Sequence, residues 1–573
     1  MELTFNKGGD PLTKKQDLIH LAILLLIALG IGVYLIITTV VITQDGVWYI
    51  REAMKFSSDP RDVIKDLPFG YTFLIFATHK LVSSLARSSS LFTWIYSAQS
   101  ITLLCRLLAL IPIYFIGKLL VGGKRSFWAI FVLIILPYPA QFASEVLREW
   151  PYILFLAVGF LFLLWGAKQN IWWLFGSAGF AAGLGHIIRP ECAQLIIYGA
   201  LWIFIRLFSA KPGMSRARLL CALSALIIGF AIPAVPYMTA RGKFLPDKLK
   251  ALISPAGPEE SREIREYEID GNINIRKPAD LLCHAEPKAK HLGGELIIRK
   301  ERFFAPLRFA QNDKLSYLSL QNELPNNLTY KLDSSNKIYM ASGVPGRIVK
   351  AIGELAGGIS ENLMYFFMPA LLLGIYFYFR KQSTDAEIDM FFVPAFAALN
   401  VVMLIALYYS YGYISRRHCL PLVVFTIFYV PIGLEVSAGW LANRFSRSRP
   451  ASGKDCRLWF FILLITGTII CLPKLLRPTG SDKPGFRAAA AWLRANTAQD
   501  DLIASQDSRI TFYAERKALI YETTPSRKTE YIVSIVKDEN QAPDFAGDAQ
   551  KQYSVWENER KKSKKIVIYK TPL

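Results

Sequence analysis

Four short stretches hold the residues of this chain best suited to chemistry, and each lies between apolar runs. In TQDGVWYIREA, Asp45 is the first charge after an uncharged run from Leu18 through Gln44. In SEVLREWPY, Glu145, Arg148 and Glu149 crowd a loop barely longer than a turn, and charges so close to apolar spans are expensive to place. GHIIRPECAQL carries Arg189 and Glu191. YYSYGYISRRHCLP leads from Tyr408, Tyr409, Tyr411 and Tyr413 into Arg416, Arg417 and His418. Guanidinium forks suit bidentate binding of phosphate, and tyrosines stack on a sugar or pack against lipid.

Each stretch also has a plainer reading. Asp45 alone is equally a solvated helix-end residue, with Trp48 and Tyr49 in an aromatic interfacial belt; a site needs a second acid nearby. Glu145 and Glu149 share a face if their loop is helical, where they repel unless Arg148 lies between them. Glu149 before Pro151 also reads as a partner of a helix dipole. Arg189 reads either as a site residue or as a helix-pairing group. The arginines before Cys419 are phosphate ligands or an anchor to anionic headgroups. Arg106, inside LLCRLLALIPIY and about halfway across its span, reads as a group that snorkels or pairs with a neighbouring helix.

The elements that must position these residues are membrane spans. Hydrophobic residues make up 53% of the 573 and charged residues only 19%, against about 25% in soluble chains. Apolar runs long enough to cross a bilayer recur. About eleven spans are expected, near 18–42, 91–117, 126–143, 151–166, 171–187, 192–208, 219–238, 361–379, 389–409, 419–440 and 457–473. The net charge of +21 is gathered in short connections such as Lys118, Lys124 and Arg125, or Arg444, Arg447 and Arg449. That is the positive-inside pattern and speaks against nucleic-acid binding. Seven cysteines without a CxxC pair indicate neither a disulfide framework nor a zinc site.

This charge bias puts the N-terminus inside and everything long and polar outside. The expected plan is a transmembrane core over 1–240 with outer loops 43–90 and 140–150. A large outer loop over 241–360, spans over 361–473 and a soluble α/β tail over 474–573 follow. Within the first outer loop, Leu67–Leu85 reads as a helix lying in the interface plane. In the tail, an amphipathic helix at Gly485–Asn496 precedes β-rich runs at Asp501–Ser505, Ile510–Tyr513, Leu519–Tyr521, Tyr531–Val536 and Lys565–Tyr569. The asymmetry puts the chemistry on the outer face.

Taken in order and by membrane side, TQDGVWYIREA, LPFGYTFLI, ASEVLREWPY, HIIRPE and YISRRHCLP resemble GT-C-type membrane glycosyltransferases. The nearest families are the dolichyl-phosphate-mannose protein mannosyltransferases and the bacterial lipid A aminoarabinose transferases. The resemblance covers roughly 15–475 in layout. It implies an inverting enzyme in a bacterial inner membrane that takes sugar from a polyprenyl-phosphate donor. The acceptor would be a protein, lipid or glycan met outside the cytoplasm. By this resemblance Asp45 activates the acceptor, Glu149 is the acid of the second loop, and Glu145 accompanies it. Families of this kind often carry two adjacent acids where this chain has Asp45-Gly46. Asp66 falls where the lipid A transferases have Glu-Lys-Pro, with Leu67 in place of the lysine. Donor-phosphate contacts then fall to Arg189 and Arg417, with Arg148, Arg416, His418, Tyr411 and Tyr413 around them. Arginines can neutralise a leaving monophosphate, so a divalent cation is compatible but not obligatory. The rival readings are an O-antigen ligase or polysaccharide polymerase, a transporter, and a sensor or scaffold. Ligases carry their chemistry in one large late loop, whereas the best carboxylates here are early, in loops one and two; transporters generally show duplicated halves, and no such duplication is visible in this sequence.

Overall fold

A computed structural model describes residues 15–66, 68–87, 89–208, 214–242, 267–269, 331–332, 338–339, 344–381, 389–445, 452–521, 529–537 and 549–572. The chain is mostly helical. Helix α1 (Lys15–Thr38) has 24 residues, about 36 Å of rise and enough for a hydrocarbon core of about 30 Å. Near its start the buried Asp17 takes hydrogen bonds from Lys118 at 2.7 Å and Tyr114 at 2.8 Å, which staples it to α5 (Leu91–Val121). Between them lie α2 (Gln44–Lys55), α3 (Pro60–Asp66) and α4 (Gly70–Ala86), the last a 17-residue helix over the segment expected to lie in the interface plane. His79, which interrupts its apolar run, stacks on Trp94 with ring centroids 3.5 Å apart.

Among the described residues, eight helices are long and apolar enough to cross a membrane, or nine if one bent pair counts as a span. Three of the expected spans fall outside those eight. The run 126–143 is split into α6 (Gly123–Ile135) and α7 (Pro137–Gln141), with Leu136 extended between them because Pro137 cannot continue the helix. Arg106 donates to the freed carbonyl of Ile134 at 3.1 Å and lies 5.6 Å from the centre of the Trp150 ring; it is a helix-pairing group. Beyond α8 (Glu149–Gln169), the run 171–187 is the 16-residue α9 (Trp173–Ile188). After α10 (Gln194–Phe208) and α11 (Arg216–Arg241), the run 361–379 is split between α12 (Val344–Asn362) and α13 (Phe367–Lys381). These two meet at 107°.

Helices α9 and α11 meet backbone to backbone. A Cβ on Gly179 would strike the Leu226 carbonyl, and one on Gly229 the Gly176 carbonyl. Small residues permit this approach where lipid offers no hydrophobic drive for association. The bundle closes with α14 (Asp389–Tyr411), α15 (Leu420–Thr426), α16 (Val430–Phe445) and α17 (Gly453–Leu475). Arg125 of α6 makes a bidentate pair with Glu435 of α16 at 2.8 and 3.1 Å.

The tail folds as a helix and a sheet. Helix α18 (Pro484–Asn496) precedes β2 (Leu502–Ser505), α19 (Ser508–Ala514), β3 (Lys517–Ile520), β4 (Tyr531–Val536), β5 (Gln550–Trp556) and β6 (Lys565–Lys570). The sheet order is β1-β3-β2-β4-β6-β5, where β1 (Tyr267–Ile269) comes from the long loop. The expected β-run at Ile510–Tyr513 is instead inside α19. Strands β2 and β3 are parallel and need a crossover, and Asp507 caps its helix by accepting from the Arg509 N–H at 3.0 Å. Most of the loop over 241–360 lies outside the described residues.

Candidate active site

The C-terminal end of α1 leads into α2 through Thr43. Its hydroxyl oxygen accepts from the Gly46 N–H at 3.1 Å, capping the helix, while its O–H donates to the Glu145 carbonyl at 2.7 Å. One side chain thus ties the first loop to the second. The approach is close: a Cβ on Gly46 would stand 2.9 Å from the Glu145 carbonyl oxygen. A second acid beside Asp45, usual in the resembled families, does not fit here. Asp45 occupies the first turn of α2, where the helix dipole favours a carboxylate. Its Oδ2 accepts a hydrogen bond from Arg417 Nη1. The two side chains keep 44% and 32% of their surface, so a ligand can reach the pair.

The second loop is not helical, so Glu145 and Glu149 do not share a helix face. Val146 between them has φ +58°, a left-handed conformation costly for a β-branched residue and held by its full burial. Glu149 opens α8, with Arg148 at its N-cap. It is buried: Oε1 lies 3.6 Å from Arg189 Nη1, and Oε2 has no hydrogen-bond partner among the described residues. Glu145 keeps some accessible surface but stands in dense protein. Burial pushes its carboxyl up to about 7; Glu149 and Asp482 add to the rise, and Arg417 and Arg416 oppose it.

That shift has a stability consequence. Ionising Glu145 costs the folded state, and the cost grows as pH rises from the ordinary 4.5 through the folded value of about 7. Glu145→Gln removes it. The thermal midpoint of the variant should therefore gain on wild type as pH is raised from about 5 to about 8. A constant difference over that range would mean that the carboxyl titrates normally.

Arg189 ends α9 in an extended conformation imposed by Pro190. It is buried against Glu149, against Glu191 at 3.3 Å, and over the Tyr152 ring at 5.2 Å. Burial works against its charge, but Glu191 and Glu149 outweigh it and hold the guanidinium ionised. In the late turn, His418 Nδ1 accepts from the Ser415 N–H at 3.3 Å, and the exposed Tyr413 lies beside it. Arg417 goes to Asp45; Arg416 goes to Glu361 at 3.4 Å and to Tyr138. The side chains of Tyr411 and Asp66 lie outside the described residues. Arg148 has no ion-pair or hydrogen-bond partner among the described residues, although it lies within electrostatic reach of Tyr49. No three His, Cys, Asp or Glu side chains among the described residues converge as a metal site would require.

Tyr49, for which an interfacial belt is one of two readings of the sequence, also faces the site. It is not in an interfacial belt but buried, edge-on to Tyr71 at 5.0 Å. Burial pushes its hydroxyl up to about 12, and Arg148, Asp45, Glu149 and Arg417 all act on it. The helical spacing of Tyr49 with the buried Ala53 was the available signal. The sheet region docks behind this site: the Ile42 N–H donates to Tyr513 at 3.1 Å, the Val40 N–H donates to the Thr479 carbonyl at 2.9 Å, and Ser144 bonds Thr479 at 3.0 Å.

No protein-family model matches the chain, and no curated protein matches it by sequence. Solved structures do. ArnT from Cupriavidus metallidurans bound to undecaprenyl phosphate superposes with a TM-score of 0.51 at 10% identity, over 96% of this chain and 98% of that one. The Archaeoglobus fulgidus oligosaccharyltransferase tethered to an acceptor peptide gives 0.45 at 13% identity, over 91% and 69%. At such identity the ArnT likeness establishes the fold alone: a polytopic helical membrane protein with a GT-C-like fold and a small C-terminal sheet region.

Proposed function

We propose that this chain is an inverting glycosyltransferase moving sugar from a polyprenyl-phosphate donor to an acceptor on the non-cytoplasmic face of a bacterial inner membrane. The observation that carries the reading is the meeting of Asp45 with Arg417, more than 370 residues apart, beside the loop of Glu145 and Glu149. An acid and a cation at one accessible point are what the transfer needs. Asp45 takes the proton of the acceptor hydroxyl or amine as that atom bonds to the anomeric carbon. The bond from that carbon to the phosphate oxygen breaks on the opposite face, and the electron pair leaves with the phosphate. Arg417 and Arg148 neutralise that charge. Glu149, fixed by the buried Arg189, holds the field of the site and orients the acceptor.

The fold likeness supports the donor class, because ArnT was solved with undecaprenyl phosphate bound. So does a groove of about 930 Å³ between α8, α9 and α11, lined by Leu154, Phe162, Trp173, Phe180 and Ile228. It begins about one helical turn below Glu149 and Arg189 and suits a prenyl chain. The purified protein, given a polyprenyl-phosphate sugar and a mixed acceptor extract, should release free polyprenyl phosphate only when acceptor is present. Donor that stays intact across protein, lipid and glycan acceptors would reject the reading. Sidedness is tested separately: a reporter active only in the cytoplasm should be silent when fused after Leu573.

A further inference from the structure

Arg416 turns away from the Asp45 pair and onto Tyr138. Its Nη1 donates to the Tyr138 hydroxyl, and the Lys474 ammonium donates to the same oxygen. Both cations also lie over the ring, the guanidinium carbon 4.3 Å and the ammonium 4.0 Å from its centroid. Three distant elements deliver them: α7, the turn before α15, and the last turn of α17.

A hydroxyl and a ring face satisfy hydrogen bonds and part of the charge, but two cations on one neutral oxygen still repel. Glu361 faces Arg416 and is 39% exposed, while Lys474 pairs with no carboxylate among the described residues. The backbone holds both cations in place. Buried Asn362 donates to the Arg416 carbonyl at 2.9 Å, and Gln141 donates to the Lys474 carbonyl at 3.0 Å. Beside them, the corner between α12 and α13 keeps Met364 and Tyr365 at φ +53° and +58°. Strained non-glycine residues of this kind gather at ligand sites.

We propose that Arg416, Lys474 and Tyr138 form a phosphate-binding site of their own, distinct from the Asp45–Arg417 pair. The guanidinium offers a planar fork, the ammonium a point charge, and the hydroxyl can turn to donate to a phosphate oxygen. Two sources have this chemistry: the lipid-linked donor and a phosphorylated acceptor. The choice between donor and acceptor rests on the proposed transfer; the phosphate-binding chemistry of the site does not.

The test uses the full chain in phosphatidylcholine nanodiscs with two probes, a polyprenyl monophosphate in the bilayer and a water-soluble sugar 1-phosphate. Wild type should bind at least one of them. The double substitution Arg416→Gln and Lys474→Gln should weaken that binding at least about tenfold, as loss of charged hydrogen bonds implies, and Lys474→Arg should retain most of it. Loss confined to the prenyl probe assigns the site to the donor; loss of the soluble probe assigns it to the acceptor side. If the double variant fails to fold, Lys474→Gln alone, which leaves the Arg416–Glu361 pair, gives the same reading. Wild type that binds neither probe, or folded variants that bind both as wild type does, overturns the proposal. Transfer is not part of the readout, so failure of the glycosyltransferase reading leaves this test standing.

Discussion

Asp45→Asn protein should fold, bind the lipid donor, and transfer sugar at least about a hundredfold more slowly than wild type. The substitution keeps size and shape. Its amide oxygen can still accept from Arg417, and it stands in the first helical turn of α2, where a polar residue is tolerated. What it loses is basicity, and a positioned base contributes about 10²–10⁴ in rate. A purely structural Asp45, present only to hold Arg417, would predict something else: a lowered thermal midpoint with the remaining activity near normal. Rate and midpoint together separate the two. Glu149→Gln should also lose activity. Its Oε1 faces Arg189 at 3.6 Å from a fully enclosed site, so the neutral amide leaves a buried cation with less compensation. Near wild-type transfer by purified Asp45→Asn would remove the proposed mechanism and leave the fold likeness describing architecture only.

How much of this was legible beforehand depends on whether the signal was local. Asp45, Glu149 and Arg417 announce themselves because a charge at the end of an apolar run is costly and therefore conspicuous. Helix ends were similarly readable: Pro190 after Arg189 forces the extended residue that aims the guanidinium inward. The meetings were not legible. Nothing in TQDGVWYIREA says that Thr43 bonds the Glu145 carbonyl or that Gly46 is required by that approach. Tyr49 looked like a belt residue because aromatic residues at a span end are common in lipid interfaces; only the packing of α2 onto α4 buries it. Lys474 was hidden as the basic end of a span and Tyr138 between two prolines. The Ile510–Tyr513 run has the composition of a strand, and tertiary demand for a crossover made it a helix. The run 126–143 divides for a related reason: periodicity measures apolar length and not whether a proline, as at 137, breaks the run in two.

Replacing Arg417 and Arg189 in turn should give two different phenotypes, although the family resemblance implies a donor contact for both arginines. Arg417 keeps about a third of its side-chain surface and has one carboxylate partner, Asp45, so it can hand part of its fork to an arriving phosphate. Arg417→Ala should weaken binding of a polyprenyl phosphate by about 1.5–3 kcal/mol, roughly ten- to hundredfold, with the thermal midpoint close to wild type. Arg417→Lys should recover only part of that, because a point charge replaces a planar fork. Arg189 is buried and flanked by Glu149, Glu191 and the Tyr152 ring, so its charge is already matched by carboxylates of the protein. Removing it strands the buried Glu149 carboxylate, a loss of about 3–5 kcal/mol of stability for a broken buried pair. Arg189→Ala should therefore unfold at lower temperature and lose transfer because Glu149 is displaced, while donor affinity in the surviving folded fraction changes little. Arg189→Ala together with Glu149→Gln should regain part of the stability and none of the transfer. An Arg189→Ala protein of normal stability with donor affinity as low as that of Arg417→Ala would put Arg189 on the phosphate after all, and would mean that α9 moves when the donor binds.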